Sequence, residues 1–224
     1  RRRTEVRQVL KTILSVRTAG TDSDSGNPGI GVNTDKRISL YGTRMLVEKE
    51  KGNMEKEQYT HVRHEFNPVF DSTSRILILG TLPSVKSREQ NFYYGHPQNR
   101  FWKLLARICE SKKVPETIEE KKAFLLANHI AVWDVIAECD IIGSSDSSIK
   151  NVVPTDLNRI LEHAPIQQIY GNGGKSYELY QKYSYPQIQR KMIKLPSTSP
   201  ANAAWQTDRL ASEWGQIREI LYKI

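Results

Sequence analysis

Residues 74–80, Ser-Arg-Ile-Leu-Ile-Leu-Gly, predict a short buried β-strand that ends at a glycine. An uninterrupted apolar run without polar alternation is typical of a strand buried on both faces. Similar runs predict strands at 129–133, 166–170 and 191–195. Helical patterns predict helices at 99–110, 116–128, 155–163, 175–183 and 203–222. Because strands alternate with helices, the sequence predicts an α/β fold, with a parallel sheet covered by helices on both faces.

Ligands of such sheets bind at the carboxyl ends of the strands. Three loops therefore become candidates for chemistry: residues 80–84 together with 93–102, residues 171–176, and residues 195–203. The loop at 171–176, Gly-Asn-Gly-Gly-Lys-Ser, only partly matches a phosphate-binding loop. Isoleucine stands at position 169, where that motif needs a glycine. A tight glycine turn is the simpler interpretation, and a contact of Lys175 with a DNA phosphate is the functional one.

The composition excludes several classes of protein. The chain has 224 residues, a net charge of +8 and two cysteines. Two cysteines cannot form a disulfide framework or hold an iron–sulfur cluster, so a reducing intracellular compartment is expected. No uncharged apolar run is long enough to span a membrane. The positive charge favours a polyanionic partner such as nucleic acid.

The charge is unevenly distributed along the chain. Residues 1–53 contain 11 basic and 6 acidic residues, a net charge of +5, whereas residues 54–224 have a net charge of +3. We expect residues 1–53 to be a basic extension, disordered or weakly structured, and residues 54–224 to be the catalytic domain. The basic start also resembles an organelle-targeting segment, so the compartment stays open between nucleus, cytoplasm and organelle.

The first and third loops offer complementary chemistry. Phe92, Tyr93 and Tyr94 could stack on a planar base, while Asn99 follows at the start of a helix. The hydroxyls of residues 197–199 suit phosphate oxygens. Each feature also has a structural interpretation: the aromatic residues as core, asparagine as a helix cap, and the hydroxyl loop as a capped turn.

Histidine and aspartate residues give weaker signals. No metal-binding motif is visible, and His61 and His64 are expected to be exposed to solvent. Asp134 follows an apolar strand, and its role stays open between a structural one and a contact with the edge of a base.

Three segments together resemble the uracil-DNA glycosylase superfamily, and within it the hypoxanthine-DNA (deoxyinosine) glycosylase branch. They are Gly-Thr-Leu-Pro-Ser at 80–84, Tyr-Tyr-Gly-His-Pro-Gln-Asn-Arg-Phe-Trp at 93–102 and Ser-Thr-Ser-Pro-Ala-Asn-Ala at 197–203. The resemblance covers residues 66–224. It implies a three-layer αβα fold around a four-stranded parallel sheet, a monofunctional hydrolase that removes deaminated bases from DNA, and no metal or organic cofactor.

The resemblance also implies site residues. Many relatives carry Asp or Asn where Leu82 stands here, and the position matching the catalytic asparagine of the hypoxanthine branch is Asn99. The implied base-binding residues are Gly80, Thr81, Leu82, Pro83, Ser84, Phe92, Tyr93, Tyr94 and His96. The implied DNA-binding residues are Ser197, Thr198, Ser199, Pro200 and Asn202, with Lys175 added by the loop argument.

The expected partner is single- or double-stranded DNA containing a damaged base, bound by a monomer without a membrane. Two alternatives remain. One is a glycosylase for uracil or for G:T/U mismatches. The other is a non-catalytic nucleic-acid-binding α/β module, because Leu82 cannot orient water.

Overall fold

The computed structural model describes residues 58–143 and 145–222. Its strands are β1 (Thr60–Arg63), β2 (Ile76–Gly80), β3 (Ile130–Asp134), β4 (Ile136–Ile141), β5 (Lys150–Pro154), β6 (Gln168–Asn172) and β7 (Met192–Leu195). Its α-helices are α1 (Val85–Glu89), α2 (Phe101–Ile108), α3 (Ile118–Ala127), α4 (Asn158–Leu161), α5 (Gly174–Leu179), α6 (Tyr185–Ile188), α7 (Thr207–Trp214) and α8 (Arg218–Leu221). The predicted extension, 1–53, lies outside the described residues, and its boundary stays a prediction.

The central sheet has four parallel strands in the order β3-β2-β6-β7. Every residue of β2 and β3 is buried, because these apolar strands are covered on both faces. Helices flank the sheet, which gives the three-layer αβα architecture, and the predicted fold is confirmed. All four predicted parallel strands form, within two residues of the expected bounds.

Helix α2 shows how the sequence builds one of these layers. Six of its eight residues are buried, and they recur at helical spacing along one face. Phe101 packs edge-on against Trp214 of α7, with ring centroids 6.1 Å apart. The predicted helix over 203–222 is shorter than expected, because α7 and α8 are separated by a 3₁₀ turn at Gly215–Ile217.

A second, antiparallel sheet of three strands, in the order β1-β4-β5, was not predicted. Its strands are short and partly exposed, so they lack the apolar runs by which the central strands were recognised. Strand β4 begins two residues after β3 ends, which brings this sheet to the carboxyl edge of the central one. Within the described ranges, no helix has the length and apolar character needed to cross a membrane.

Candidate active site

A cavity of about 620 Å³ opens at the carboxyl edge of the central sheet. Three neighbouring strands end there, each with a residue that lines the cavity: Asp134 on β3, Gly80 on β2 and Asn172 on β6. This is the position where open α/β sheets bind ligands. Thirteen of the predicted site residues line it: Gly80, Thr81, Leu82, Pro83, Ser84, Tyr93, Tyr94, His96, Asn99, Ser197, Thr198, Ser199 and Pro200.

The loop after β2 supplies unpaired backbone donors. Within the described part of the chain, the N–H groups of Thr81 and Leu82 donate no hydrogen bond. Ser84 ends the loop by capping α1, where its hydroxyl accepts from the Ser87 N–H at 3.2 Å. The Ser87 hydroxyl accepts in turn from the Gly95 N–H at 3.0 Å, which fastens the two halves of the first loop together.

The three neighbouring aromatic residues do not share one role. Tyr94 lines the cavity and stacks on Phe101, with ring centroids 3.7 Å apart. Tyr93 also lines it, and its hydroxyl donates to the backbone oxygen of Asn67. The prediction of a base contact for Phe92 is wrong, because its buried ring packs against Trp102 and does not line the cavity.

Two amides and one hydroxyl form a hydrogen-bonded chain across the site. The Asn172 amide Nδ2 donates to the Thr198 hydroxyl at 2.9 Å, and the Thr198 N–H donates to Asn172 Oδ1 at 2.9 Å. The Thr198 hydroxyl donates in turn to Asn99 Oδ1 at 2.9 Å. Thr198 is fully buried. Its predicted contact with a DNA phosphate is therefore wrong, because the hydroxyl is enclosed and committed to side chains.

The same contacts fix how Asn99 faces the cavity. Its Oδ1 also accepts from the N–H of Phe101, the first residue of α2, at 3.0 Å. The N-cap residue itself is Arg100, so Asn99 lies one position before the cap that the structural interpretation expected. An amide oxygen has two lone pairs, and both are engaged by these two donors. The Nδ2 group is therefore the part of Asn99 that remains available to a ligand or a water molecule.

Arg100 organises the third loop, a role that the sequence did not reveal. Its guanidinium donates to backbone oxygens of Ser197, Thr198, Ser199, Asn202 and Trp205. A planar group with five fixed donors suits this convergence of carbonyl oxygens.

The remaining predicted DNA-binding side chains lie in three different settings. Ser197 and Ser199 are half-buried at the cavity. Asn202 lies outside the cavity lining, and its amide donates to the Ser197 oxygen at 2.9 Å. Lys175, also outside the lining, pairs with Glu178 at 3.1 Å.

The glycine-turn interpretation fits residues 171–176, because Gly173 has a φ of 106° in the left-handed half of conformational space.

His64 and Asp134 form a buried pair behind the cavity. The His64 Nε2 lies 3.0 Å from Asp134 Oδ2, and the two side chains are 3% and 6% exposed. The expectation that His64 is exposed to solvent is wrong, whereas His61 is 59% exposed as expected. The pairing of β1 with β4 carries His64 inward, and its N–H donates to Ala137 O at 2.7 Å. Local sequence gives no signal for this long-range contact.

Burial and charge act on the tyrosines beside this pair. Burial, followed by the negative charge of Asp134, raises the pKa of Tyr94 and of Tyr93 well above the usual value for tyrosine.

Over residues 58–143 and 145–222, no group of three His, Cys, Asp or Glu side chains is arranged to hold a metal ion.

Comparison with known proteins identifies relatives of this site. The Uracil DNA glycosylase superfamily matches residues 68–219. A protein of Methanosarcina acetivorans named Hypoxanthine DNA glycosylase is 34% identical over 157 residues, which cover 70% of this chain and 98% of the relative. A protein of the same name from Methanosarcina barkeri is 35% identical over 114 residues, or 50% of this chain and 72% of the relative.

A solved structure agrees with these matches. The solution NMR structure of a candidate uracil DNA glycosylase from Methanosarcina acetivorans has a TM-score of 0.63 and 33% identity. The match covers 73% of this chain and 99% of that one. The family match spans more than half of the chain and includes every strand of the parallel sheet and every loop of the cavity. This chain belongs to the Uracil DNA glycosylase superfamily.

Proposed function

We propose that this protein hydrolyses the N-glycosidic bond of hypoxanthine in DNA and so begins repair of deaminated adenine. The observation that carries the proposal is the cavity itself. It brings free backbone donors, a stacked tyrosine and polar strand ends together with the loop at 197–201. Two relatives named Hypoxanthine DNA glycosylase support the choice of base.

Extrusion of the base is the first step. A deaminated base pairs less well than its parent, so rotating it out of the helix costs less, at most a few kcal/mol. Ser197 and Ser199 at the cavity contact flanking phosphates, and Pro200 beside them occupies the space that the base leaves. Lys175 and Asn202 contribute to the wider DNA surface.

Cleavage then separates the base from the sugar. The C1′–N9 bond breaks, the base leaves with the bonding electron pair, and the sugar becomes an oxocarbenium-like cation. The unpaired N–H groups of Thr81 and Leu82 stabilise the negative charge that develops on the departing base. Water then bonds to C1′ through its oxygen and releases a proton. The products are free hypoxanthine, which takes up one proton, and an abasic site.

Asn99 positions the attacking water in this proposal. Its Oδ1 is occupied by Phe101 and Thr198, so the water accepts a hydrogen bond from Nδ2. An amide cannot take the proton from water, but a cationic sugar is electrophilic enough to react with water that is only held in place. The apolar side chain of Leu82, which also lines the cavity, cannot hold water, which leaves Asn99 as the positioning group.

Duplexes carrying a single hypoxanthine, uracil, xanthine or G:T mismatch test the base specificity. Abasic product is converted to a strand break by alkali and measured under single-turnover conditions. We expect the fastest cleavage with hypoxanthine and none with an undamaged duplex. Faster cleavage of uracil or of the mismatch would move the assignment to those bases. Binding without cleavage of any of them would make the protein a non-catalytic module.

Asn99→Ala tests the proposed water-positioning group. We expect the single-turnover rate on hypoxanthine to fall about 100-fold or more, in the range lost when a group that assists the reacting water is removed. Loss of the hydrogen bond to the Phe101 N–H should also cost about 1 kcal/mol of stability. The matched control is Asn99→Ser, which keeps an oxygen for the Phe101 N–H. It should recover the stability but not the rate, and recovery of both would contradict the proposal.

In this proposal the protein acts as a monomer inside the cell. The DNA that it repairs lies in the nucleus, the cytoplasm or an organelle. Sedimentation of the protein with and without a damaged duplex measures the stoichiometry, and one protein per damaged site is the expected result.

A further inference from the structure

Thr198 and Asn172 form the buried end of a hydrogen-bonded chain that reaches the cavity at Asn99. Thr198 donates its N–H to Asn172 Oδ1, and Asn172 Nδ2 donates to the Thr198 hydroxyl, both at 2.9 Å. The Thr198 hydroxyl donates to Asn99 Oδ1 at 2.9 Å, and the Phe101 N–H donates to the same oxygen at 3.0 Å. Thr198 is fully buried and Asn172 is 9% exposed, so the chain is enclosed up to the point where Asn99 lines the cavity.

Backbone N–H groups fix the direction of this chain at both ends, because an N–H donates but cannot accept. If the Asn172 amide were turned over, its Nδ2 would face the Thr198 N–H. If the Asn99 amide were turned over, its Nδ2 would face the Phe101 N–H. Either change would place two donors against each other, and an enclosed donor without an acceptor costs free energy. The chain therefore runs in one direction, from Asn172 through the Thr198 hydroxyl to Asn99 Oδ1.

The Thr198 hydroxyl limits the movement of the Asn99 amide. Its oxygen accepts from Asn172, so its proton is directed to Asn99 Oδ1. Without this donor, only the Phe101 N–H would hold Oδ1, and the amide plane could swing about that single contact. The second hydrogen bond therefore determines where Asn99 Nδ2 points.

The backbone of Thr198 is held independently of its hydroxyl. Its carbonyl oxygen accepts from the N–H and from Nε of Arg100, at 3.1 and 3.3 Å. Two consecutive residues thus bind the same threonine, Arg100 at the carbonyl and Asn99 at the hydroxyl. A substitution that removes only the hydroxyl should leave this part of the loop in place.

We propose that Thr198 is a positioning residue for hydrolysis, whose hydroxyl, oriented by Asn172, fixes the Asn99 amide before DNA binds. This inference rests on the proposed function, in which Asn99 Nδ2 holds the attacking water. A group that is already aligned does not have to reorganise when the sugar cation forms. Thr198 acts only through Asn99 and contacts neither the water nor the base.

Thr198→Val in the full chain tests the inference, because valine replaces the hydroxyl with a methyl group of similar size. We expect the single-turnover rate on a hypoxanthine duplex to fall about 10-fold, the effect of one lost hydrogen bond. Thr198→Ser restores the donor and should recover the rate to within about 3-fold of the wild type. Affinity for a duplex with a stable abasic-site analogue should stay within about 2-fold, because Arg100 still holds the loop.

The matched control is Thr155→Val. Thr155 is also a buried threonine, and its hydroxyl donates to the backbone oxygen of Asp134 at 2.7 Å, but it does not line the cavity. Both valine variants should lose a similar amount of stability in urea, whereas only Thr198→Val should slow cleavage. Equal slowing by the two variants would assign the effect to lost stability and would overturn the inference.

A double-mutant cycle separates positioning from a purely structural role. In a protein that already carries Asn99→Ala, Thr198→Val should change the residual rate by less than about 2-fold, because the amide that Thr198 orients is absent. A further loss of about 10-fold in that background would show that Thr198 acts independently of Asn99, and the inference would be overturned.

Failure of the inference can be distinguished from failure of the proposed function. A wild type that is inactive on hypoxanthine, or an Asn99→Ala variant as fast as the wild type, would overturn the proposed function and the inference with it. A slow Asn99→Ala variant combined with a Thr198→Val variant at the wild-type rate would overturn the inference alone. Failure of Thr198→Ser to recover the rate would do the same.

Discussion

At the scale of single residues, the buried hydroxyl of Tyr94 has no hydrogen-bond partner among residues 58–143 and 145–222. Burial and the Asp134 charge raise its pKa in the folded protein above the value near 10 in the unfolded chain. The stability that this gives is complete below pH 10 and is lost as pH rises, because the unfolded chain ionises first. Tyr94→Phe should therefore lose stability less steeply above pH 10, by up to about 1.4 kcal/mol per pH unit.

Urea unfolding of both proteins at pH 8 and at several values between 10 and 11.5 measures this difference. At pH 8 the variant should be as stable as the wild type or slightly more stable, since it removes a buried polar atom without a partner. Parallel stability curves above pH 10 would show that Tyr94 ionises equally in both states.

Sequence located a residue that lines the cavity where that residue lies inside a contiguous motif. Asn99 follows the aromatic loop by a few positions, so local pattern and family resemblance both reached it. His64 was expected to be exposed because no apolar periodicity surrounds it. Its burial depends on a contact with Asp134, which lies 70 positions later in the chain. A local sequence pattern does not reveal a contact between residues so far apart.

At the scale of elements, Arg100 ties helix α2 to the loop at 197–205. Its guanidinium donates hydrogen bonds to five backbone carbonyl oxygens, and a lysine ammonium with three donors cannot replace all of them. Arg100→Lys should lower the free energy of unfolding by about 2–3 kcal/mol, as several hydrogen bonds are lost. It should also weaken binding to damaged DNA, because Ser197 and Ser199 are no longer held.

Urea denaturation and DNA affinity measure the two effects. Arg107→Lys is the matched control, since Arg107 lies in α2, the helix that begins directly after Arg100, and its side chain forms an exposed ion pair with Asp208. The change in the control should stay within about 0.5 kcal/mol. If both variants lose the same stability, Arg100 does not organise the loop.

The elements that sequence predicted share one property. Strands β2, β3, β6 and β7 are short apolar runs between helices, and a sheet buried on both faces requires that composition. The antiparallel strands were missed because only part of each is buried, and β4 mixes apolar residues with Glu138 and Asp140. Their pairing is set by tertiary contacts rather than by a pattern along the chain.

At the scale of the whole molecule, much of the positive charge lies in a different part of the sequence from the residues that line the cavity. Residues 1–53 carry a net charge of +5, whereas the described residues that line the cavity all lie beyond residue 79. A chain of residues 54–224 should keep the single-turnover rate at saturating protein. Its DNA affinity should be weaker at low salt, and the difference should shrink as salt increases, because phosphate contacts release counterions.

DNA affinity and single-turnover cleavage rate, measured at several salt concentrations for the full chain and for residues 54–224, test this prediction. A lower rate at saturation for the shorter chain would place part of the active site in the extension. Equal DNA affinities of the two chains at low salt would show that the positive charge of residues 1–53 does not contribute to DNA binding.

The position of His64 also affects where a recombinant fragment of this protein should begin. The family match begins at residue 68, four residues after the histidine that holds the Asp134 carboxylate. A recombinant fragment trimmed to the family boundaries would keep every described loop of the cavity but lack β1, and would leave the buried Asp134 side chain without its hydrogen bond to His64. A fragment intended for structural or biochemical work should therefore begin before Thr60, so that β1 and His64 are included.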